Sequence, residues 1–178
     1  MNRLSTTPDH TQTDRLVLRF PKSSDAADIH RLADSPKLAL MTGTIPSPYP
    51  LAAAVSWIER VTEMRARGEI LAYVVCARDS GELMGVISLT QFSGQEANLA
   101  YWLGEPYWGH GYCSEAGRGM LEIAFGPLGL EKLVALHLEH NHPSGRVLKR
   151  LGFRFTEEKT RPHRGAEALF YCYEAFAP

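Results

Sequence analysis

A chain of 178 residues, 44% of them hydrophobic, is long enough for one domain with a sizeable core. Its 19 Lys and Arg against 20 Asp and Glu leave a net charge of -1, which excludes the broad basic surface of a general nucleic-acid binder. No membrane-spanning helix is expected either, because no apolar run approaches the roughly 18 residues that one needs. The polar opening MNRLSTTPDHTQTDR lacks the apolar core of a secretion signal. Three cysteines without a CxxC pair (Cys76, Cys113, Cys172) indicate neither a disulfide framework nor a zinc ribbon. The composition is that of a soluble cytoplasmic protein.

In chain order, residues 1–13 read as a loose leader and 14–178 as a single domain. RLVLRF (15–20) is the first predicted strand. Ser23 or Ser24 caps a short helix, SDAADIHRLAD, with Ile29 and Leu32 facing inward. TGTIPSPYP (42–50), with three prolines, is a loop. A second helix spans about 51–67, with Val55, Ile58 and Val61 at helical spacing and Gly68 as its stop. Three strands follow at 70–78, 82–92 and 96–104, separated by turn signals that suggest an antiparallel meander. Then come a helix at 116–125, a fifth strand at 133–140, a helix at 143–151, and two final strands, GFRFTEE and EALFYCYEAF. This order predicts a mixed α+β (α/β) fold, antiparallel first and βαβ-like later.

Two stretches carry chemistry. In WLGEPYWGHGYCSEAGRGM a strand runs through a turn with Gly109 and Gly111 into a helix. Glycines there let backbone N–H groups approach a ligand, and the helix start adds partial positive charge, a combination that favours phosphate. Neither a Walker loop nor a dinucleotide fingerprint fits, since position 114 is Ser114. Cys113 at a helix start could be an acidified nucleophile, but a small structural cysteine is the preferred reading. The second stretch, LHLEHNHPS (136–144), holds three histidines. Strand alternation sends His137 and His140 to opposite faces, and no zinc spacing is present, so no metal is expected. At the junction that follows, Asn141 and Ser144 offer polar groups beside the end of a strand; the competing reading is that Asn141 simply caps the helix.

Taken together, YWLGEPYWGHGYCSEA and NHPSGRVLKRLGF resemble the GNAT acyltransferase superfamily, most closely its RimJ/RimL-type N-acetyltransferase branch, over roughly residues 13–175. The resemblance implies a central, mostly antiparallel seven-stranded sheet with about four flanking helices and with its fourth and fifth strands splayed around acetyl-coenzyme A. It implies that Trp108, Gly109, His110, Gly111, Tyr112 and Cys113 form the pyrophosphate turn, and that the strand edge near Trp102 and Leu103 pairs with the pantetheine amides. Asn141 would hold the pantetheine arm and Ser144 would lie near the thioester sulfur.

The implied reaction is attack of a neutral primary amine on the thioester, with a backbone N–H of the splayed strand for the oxyanion and Ser144 for the departing sulfur. Many relatives carry a base glutamate where this chain has Asn98, and Glu96, on the same face, is the substitute candidate; the alternative is that Glu96 is a solvated strand-end charge. Pro106 and His110 also depart from the wider superfamily, which often has Arg or Gln and Lys there. The acceptor is either a protein N-terminus or a small-molecule amine, bordered by the 42–50 loop and by TRPHRGAE. A non-catalytic acyl-CoA-binding module is the competing class. No nucleic acid or membrane partner is expected, and the protein is read as a monomer or homodimer.

Overall fold

In the computed structural model, which describes residues 3–178, eight strands form one sheet. They are β1 (His10–Gln12), β2 (Leu16–Arg19), β3 (Leu71–Ala77), β4 (Leu83–Ser93), β5 (Glu96–Leu103), β6 (Lys132–Leu138), β7 (Arg154–His163) and β8 (Ala166–Phe176). Their spatial order is β1-β2-β3-β4-β5-β6-β8-β7. Every neighbouring pair is antiparallel except β5 and β6. Five helices accompany them: α1 (Ala26–Ala33), α2 (Pro36–Met41), α3 (Leu51–Ala66), α4 (Tyr112–Phe125) and α5 (His142–Arg150).

Strand alternation sorts the core into two layers. On one side, Tyr73 and Val75 of β3 join Ala97 and Leu99 of β5 against Ala116, Met120 and Ile123 of α4. On the other, Val74, Cys76 and Val86 pack beneath Ile29 of α1 and Ala54 and Ile58 of α3. A strand clothed on both faces has no polar side, which is why β3 is buried along almost its whole length.

The α+β class, the antiparallel meander and the splayed pair agree with the reading from sequence; several details differ. Residues 1–13 were read as a loose leader; Met1 and Asn2 lie outside the described residues, and within the rest Leu4 is 1% exposed in the main core while His10–Gln12 supplies the eighth strand. The short helix α2 was not expected. Ser35 caps it by accepting from the Leu38 N–H at 3.1 Å, with Pro36 at its first position. Six residues are too few to show a periodic pattern. α3 buries Ala54, Ile58 and Val61, whereas Val55, expected inward, is 42% exposed. α4 begins four residues before the expected start, because Gly111 at φ 80° can serve as its N-terminal boundary.

Glu115, in the first turn of α4, locks the N-terminal segment to the rest of the domain. The residue is 6% exposed, and its carboxylate accepts from the Thr13 hydroxyl at 2.6 Å, the Arg15 backbone N–H at 2.7 Å and Arg15 Nε at 2.7 Å. Burial alone would raise its pKa, but these three donors and the guanidinium charge hold it below the ordinary value of 4.5. A carboxylate depressed in the folded state contributes stability above its unfolded pKa and loses it as pH falls. Replacing Glu115→Gln is therefore expected to cost about 2 kcal/mol at pH 7. In thermal unfolding, the gap between the two proteins should narrow as pH drops below 4.5; a gap independent of pH would show that the charge contributes nothing.

Candidate active site

The parallel pairing of β5 and β6 covers only Glu96↔Lys132, Ala97↔Leu133 and Asn98↔Val134. Beyond it, β5 stays with β4 as far as Leu103, and β6 stays with β8 as far as Leu138, so the two strands diverge. Opposite the point of divergence β4 carries an irregularity between Thr90 and Ser93, with Gln91 at φ 52°. A bulge of this kind increases local twist and bends its strand pair, and it stands where the β5–β6 pairing ends.

The gap leaves strand backbone without a strand partner. Gly104 N–H reaches Met84 O on β4 at 2.9 Å, so by alternation the peptide groups of Tyr101 and Leu103 point the other way, into the gap. One of them is satisfied from within: the indole N–H of Trp108 donates to Leu103 O at 2.7 Å. Trp102, paired with Val86, turns its peptide toward β4 and contributes its side chain to the gap. The strand edge expected at Trp102 and Leu103 thus runs through Tyr101 and Leu103.

A cavity of about 420 Å³ occupies this gap beside the start of α4. Gly109 and Gly111, at φ 79° and 80°, turn the chain into the helix. Gly111 offers no side-chain cap, so the first N–H groups of α4 remain available, with the positive end of the helix dipole behind them. Trp108, Gly109, Gly111, Tyr112, Cys113 and Ser114 all border the cavity. The Ser114 hydroxyl is buried and has no hydrogen-bond partner among the described residues. From the facing side come Arg146 and Arg150 of α5, one helical turn apart on one face. Among the described residues no carboxylate borders this space. His110 is the exception in the turn: it borders neither cavity, its ring stacks on Tyr112 at 5.8 Å, and its carbonyl accepts from Arg15 at 3.2 Å.

A second, larger cavity of about 840 Å³ lies on the other side of the splayed strands. Its walls come from the 42–50 loop, α3, β4 to β6 and the β7–β8 hairpin, including Arg161, Pro162 and His163. The two cavities share Met41, Thr42, Tyr101, Trp102, Asn141 and Ser144. At that junction the Tyr101 hydroxyl lies 2.9 Å from Ser144 Oγ and 3.2 Å from the Ser144 carbonyl. Burial raises the Tyr101 pKa, and the Ser144 hydrogen bond only partly opposes it, so the phenol keeps its proton.

Asn141 does what the plainer of its two sequence readings required. Its Oδ1 accepts from the Ser144 N–H at 3.2 Å, capping α5, and its Nδ2 donates to Met41 O at 2.8 Å, tying α5 to α2. It nonetheless borders both cavities. Glu96 does not join this group. It sits at the closed end of the β5–β6 pair, 2.7 Å from Lys132 Nζ, about 16 Å along the strand from Tyr101 at roughly 3.3 Å per residue. The opposite charge at its register partner holds it there.

The histidines of LHLEHNHPS do not converge. His137 is buried and its Nδ1 donates to Leu138 O at 2.7 Å, since a carbonyl can only accept; His140 donates to Leu40 O at 2.8 Å. Burial pulls the His137 pKa down, keeping the ring neutral. It lies so close beneath Gly145 that an added Cβ would come within 2.7 Å of Nε2, which is why α5 needs glycine after Ser144.

Sequence reasoning gave no site role to Tyr101 or Arg146, read Arg150 as a partner of the helix dipole, and reached Thr42 only as part of the 42–50 loop. Only the arginines left a signal, their spacing of four on a helix that follows Ser144.

The family model described as the acetyltransferase (GNAT) domain matches residues 15–154. An uncharacterized N-acetyltransferase, p20 of Bacillus licheniformis, is 24% identical over 144 residues, 80% of each chain. Among solved structures, the microcin C7 self-immunity acetyltransferase MccE, in complex with acetyl-CoA and AMP, superposes with a TM-score of 0.83 at 20% identity, covering 97% of this chain and 99% of that one. Mycobacterium smegmatis RimJ, in complex with CoA-disulfide, gives a TM-score of 0.82 at 22% identity, covering 91% and 82%.

The thiol of Cys113 settles its own competing readings. Burial pushes its pKa up to about 12, overriding the helix start, so it stays protonated. Alkylation by iodoacetamide at pH 8, mapped by mass spectrometry, should be roughly a thousandfold slower at Cys113 than at an exposed cysteine; rapid labelling there would restore a nucleophilic role.

Proposed function

Because the chain belongs to the GNAT acetyltransferase family, we propose that it transfers an acetyl group from acetyl-coenzyme A to a primary amine by direct attack. The coenzyme is assigned to the smaller cavity and the acceptor to the larger one. The observation that carries this reading is that the two spaces meet at Tyr101, Asn141 and Ser144, at the open end of the parallel β5–β6 pair. Substrates entering from opposite sides of the sheet would meet there.

The residues present fit such a coenzyme. The uncapped start of α4 and the Ser114 hydroxyl, which lacks a partner among the described residues, suit a pyrophosphate. Arg146 and Arg150 add two cations that form no ion pair among the described residues. The peptide groups of Tyr101 and Leu103 aimed into the gap suit an amide-bearing arm in the place of a missing strand.

The chemistry joins the amine nitrogen to the acetyl carbon and breaks the carbon–sulfur bond, with one proton leaving nitrogen and one needed at sulfur. A β5 N–H aimed into the gap serves the oxyanion. Ser144 Oγ donates toward sulfur, and the protonated Tyr101 hydroxyl 2.9 Å behind it orients that group and replenishes its proton. Asn141 holds the first turn of α5 at the junction.

The acceptor is an amine of one of two kinds, a protein N-terminus or a small molecule. The same fold in RimL, a ribosomal L7/L12 alpha-N-protein acetyltransferase (TM-score 0.80 at 20% identity), supports the first; the volume of the second cavity, about 840 Å³, admits both. No helix among the described residues is long and apolar enough to cross a membrane, and the cytoplasm is the assigned compartment.

Binding and turnover separate the roles. Thermal unfolding with acetyl-coenzyme A at 100 times its dissociation constant should show about 2.7 kcal/mol of added stability; no shift would remove the assignment of the smaller cavity. Joint replacement Arg146→Gln and Arg150→Gln should weaken coenzyme binding about tenfold, more steeply at low salt. Ser144→Ala should lower kcat about a hundredfold and Tyr101→Phe about tenfold, with coenzyme affinity within about threefold of the parent. Unchanged turnover in Ser144→Ala would take Ser144 off the catalytic path.

A further inference from the structure

The larger cavity has an unusual charge balance for a site meant to receive an amine. Of the residues around it, none is Asp or Glu, while Arg60 of α3 and Arg161 of β7 both border it. Neither arginine makes an ion pair or a side-chain hydrogen bond among the described residues. Ion pairs elsewhere engage Arg15, Arg19, Arg31, Arg65 and Arg67. Arg164, on the same hairpin as Arg161, is engaged through Nη2: it donates to Ala39 O at 2.8 Å and to the carbonyls of Thr42 and Ile45, fastening the hairpin to the 42–50 loop. That fastening fixes the wall on which Arg161 stands.

An ammonium entering such a space meets two cations and no counter-charge. Binding a simple cationic amine or a polyamine there would be opposed by like-charge repulsion. From this balance the geometry points to an acceptor that carries its own negative charge: a primary amine bearing a carboxylate or phosphate close by, held by Arg60 and Arg161. The inference rests on the assignment of the larger cavity to the acceptor.

The same charges address the missing base. Neither cavity has a carboxylate on its wall, and Glu96 is held by Lys132 at the far end of β5. Nearby cations destabilise an ammonium relative to the neutral amine and so lower its pKa. An anionic acceptor is thus anchored by the charges that help its nitrogen lose a proton, and water can carry that proton away. Both arginines are exposed at the rim of the space, so solvent and salt screen them and their effect is largest at low ionic strength. The anionic group can belong to a free amino acid or to an acidic peptide N-terminus; the chemistry is shared.

The test compares acceptors of equal shape at saturating acetyl-coenzyme A. Leucine, methionine and phenylalanine are each set against their amides and their decarboxylated amines, and peptides with acidic second and third residues against the same peptides with neutral ones. The expected result is at least a tenfold higher kcat/KM for the charged member in one arm or both, the arm identifying the source. In the joint variant Arg60→Gln and Arg161→Gln that ratio should fall toward one. Equal or better use of the neutral members, or a preference that survives the double substitution, overturns the inference while leaving the acetyltransferase assignment intact. Absence of transfer to any amine by protein that binds the coenzyme would instead overturn the placement of the acceptor, and this inference with it.

Discussion

Everything at the site follows from the place where β5 and β6 stop pairing. Strand backbone cannot be left without hydrogen bonds in a protein interior, because each unsatisfied amide or carbonyl costs free energy comparable to a lost hydrogen bond. After Asn98 and Val134 the two strands separate all the same, and the molecule spends its neighbouring elements on the consequences. β4 takes an irregularity beside the parting, Trp108 satisfies Leu103 O, and Tyr101 spans to Ser144. What remains open is an edge shaped to accept an extended, amide-bearing ligand.

The two helices that follow the parting strands complete the site for different electrostatic reasons. α4 begins on a left-handed glycine and brings uncapped N–H groups to one mouth of the gap. Its buried Glu115 does not neutralise that mouth, because Thr13 and Arg15 hold the carboxylate on the opposite side, against the N-terminal segment. α5 is capped by Asn141, which leaves Ser144 in the first turn with its hydroxyl facing Tyr101. Arg146 and Arg150 then follow on one face. The result is a positive channel on one side of the sheet and a wider, carboxylate-free space on the other.

Much of this was legible in the chain. Glycines at 109 and 111 before a helix, and Asn141 and Ser144 at the next strand-to-helix junction, are local features, set by conformational freedom and by short-range capping, and local features survive in sequence. The base was not legible. Glu96 stands on the same face as Asn98, and alternation alone could not reveal that its register partner on β6 is Lys132. Nor could the spacing of Tyr101 and Ser144, 43 positions apart, announce that they touch. The leader reading overlooked Leu4, whose burial depends on a cavity built by strands far away in the chain.

By itself, then, the sequence determined the element order, the phosphate-suited turn, the capped junction after β6 and the membership of a family, because each depends on residues near one another along the chain. Tertiary structure decided which of those residues share a space. It set Tyr101 rather than Trp102 at the strand edge, removed Glu96 and His110 from the cavities, and collected Arg60 and Arg161 around the wider one. Register, strand divergence and burial arise from contacts between segments tens of residues apart, and no local pattern encodes them.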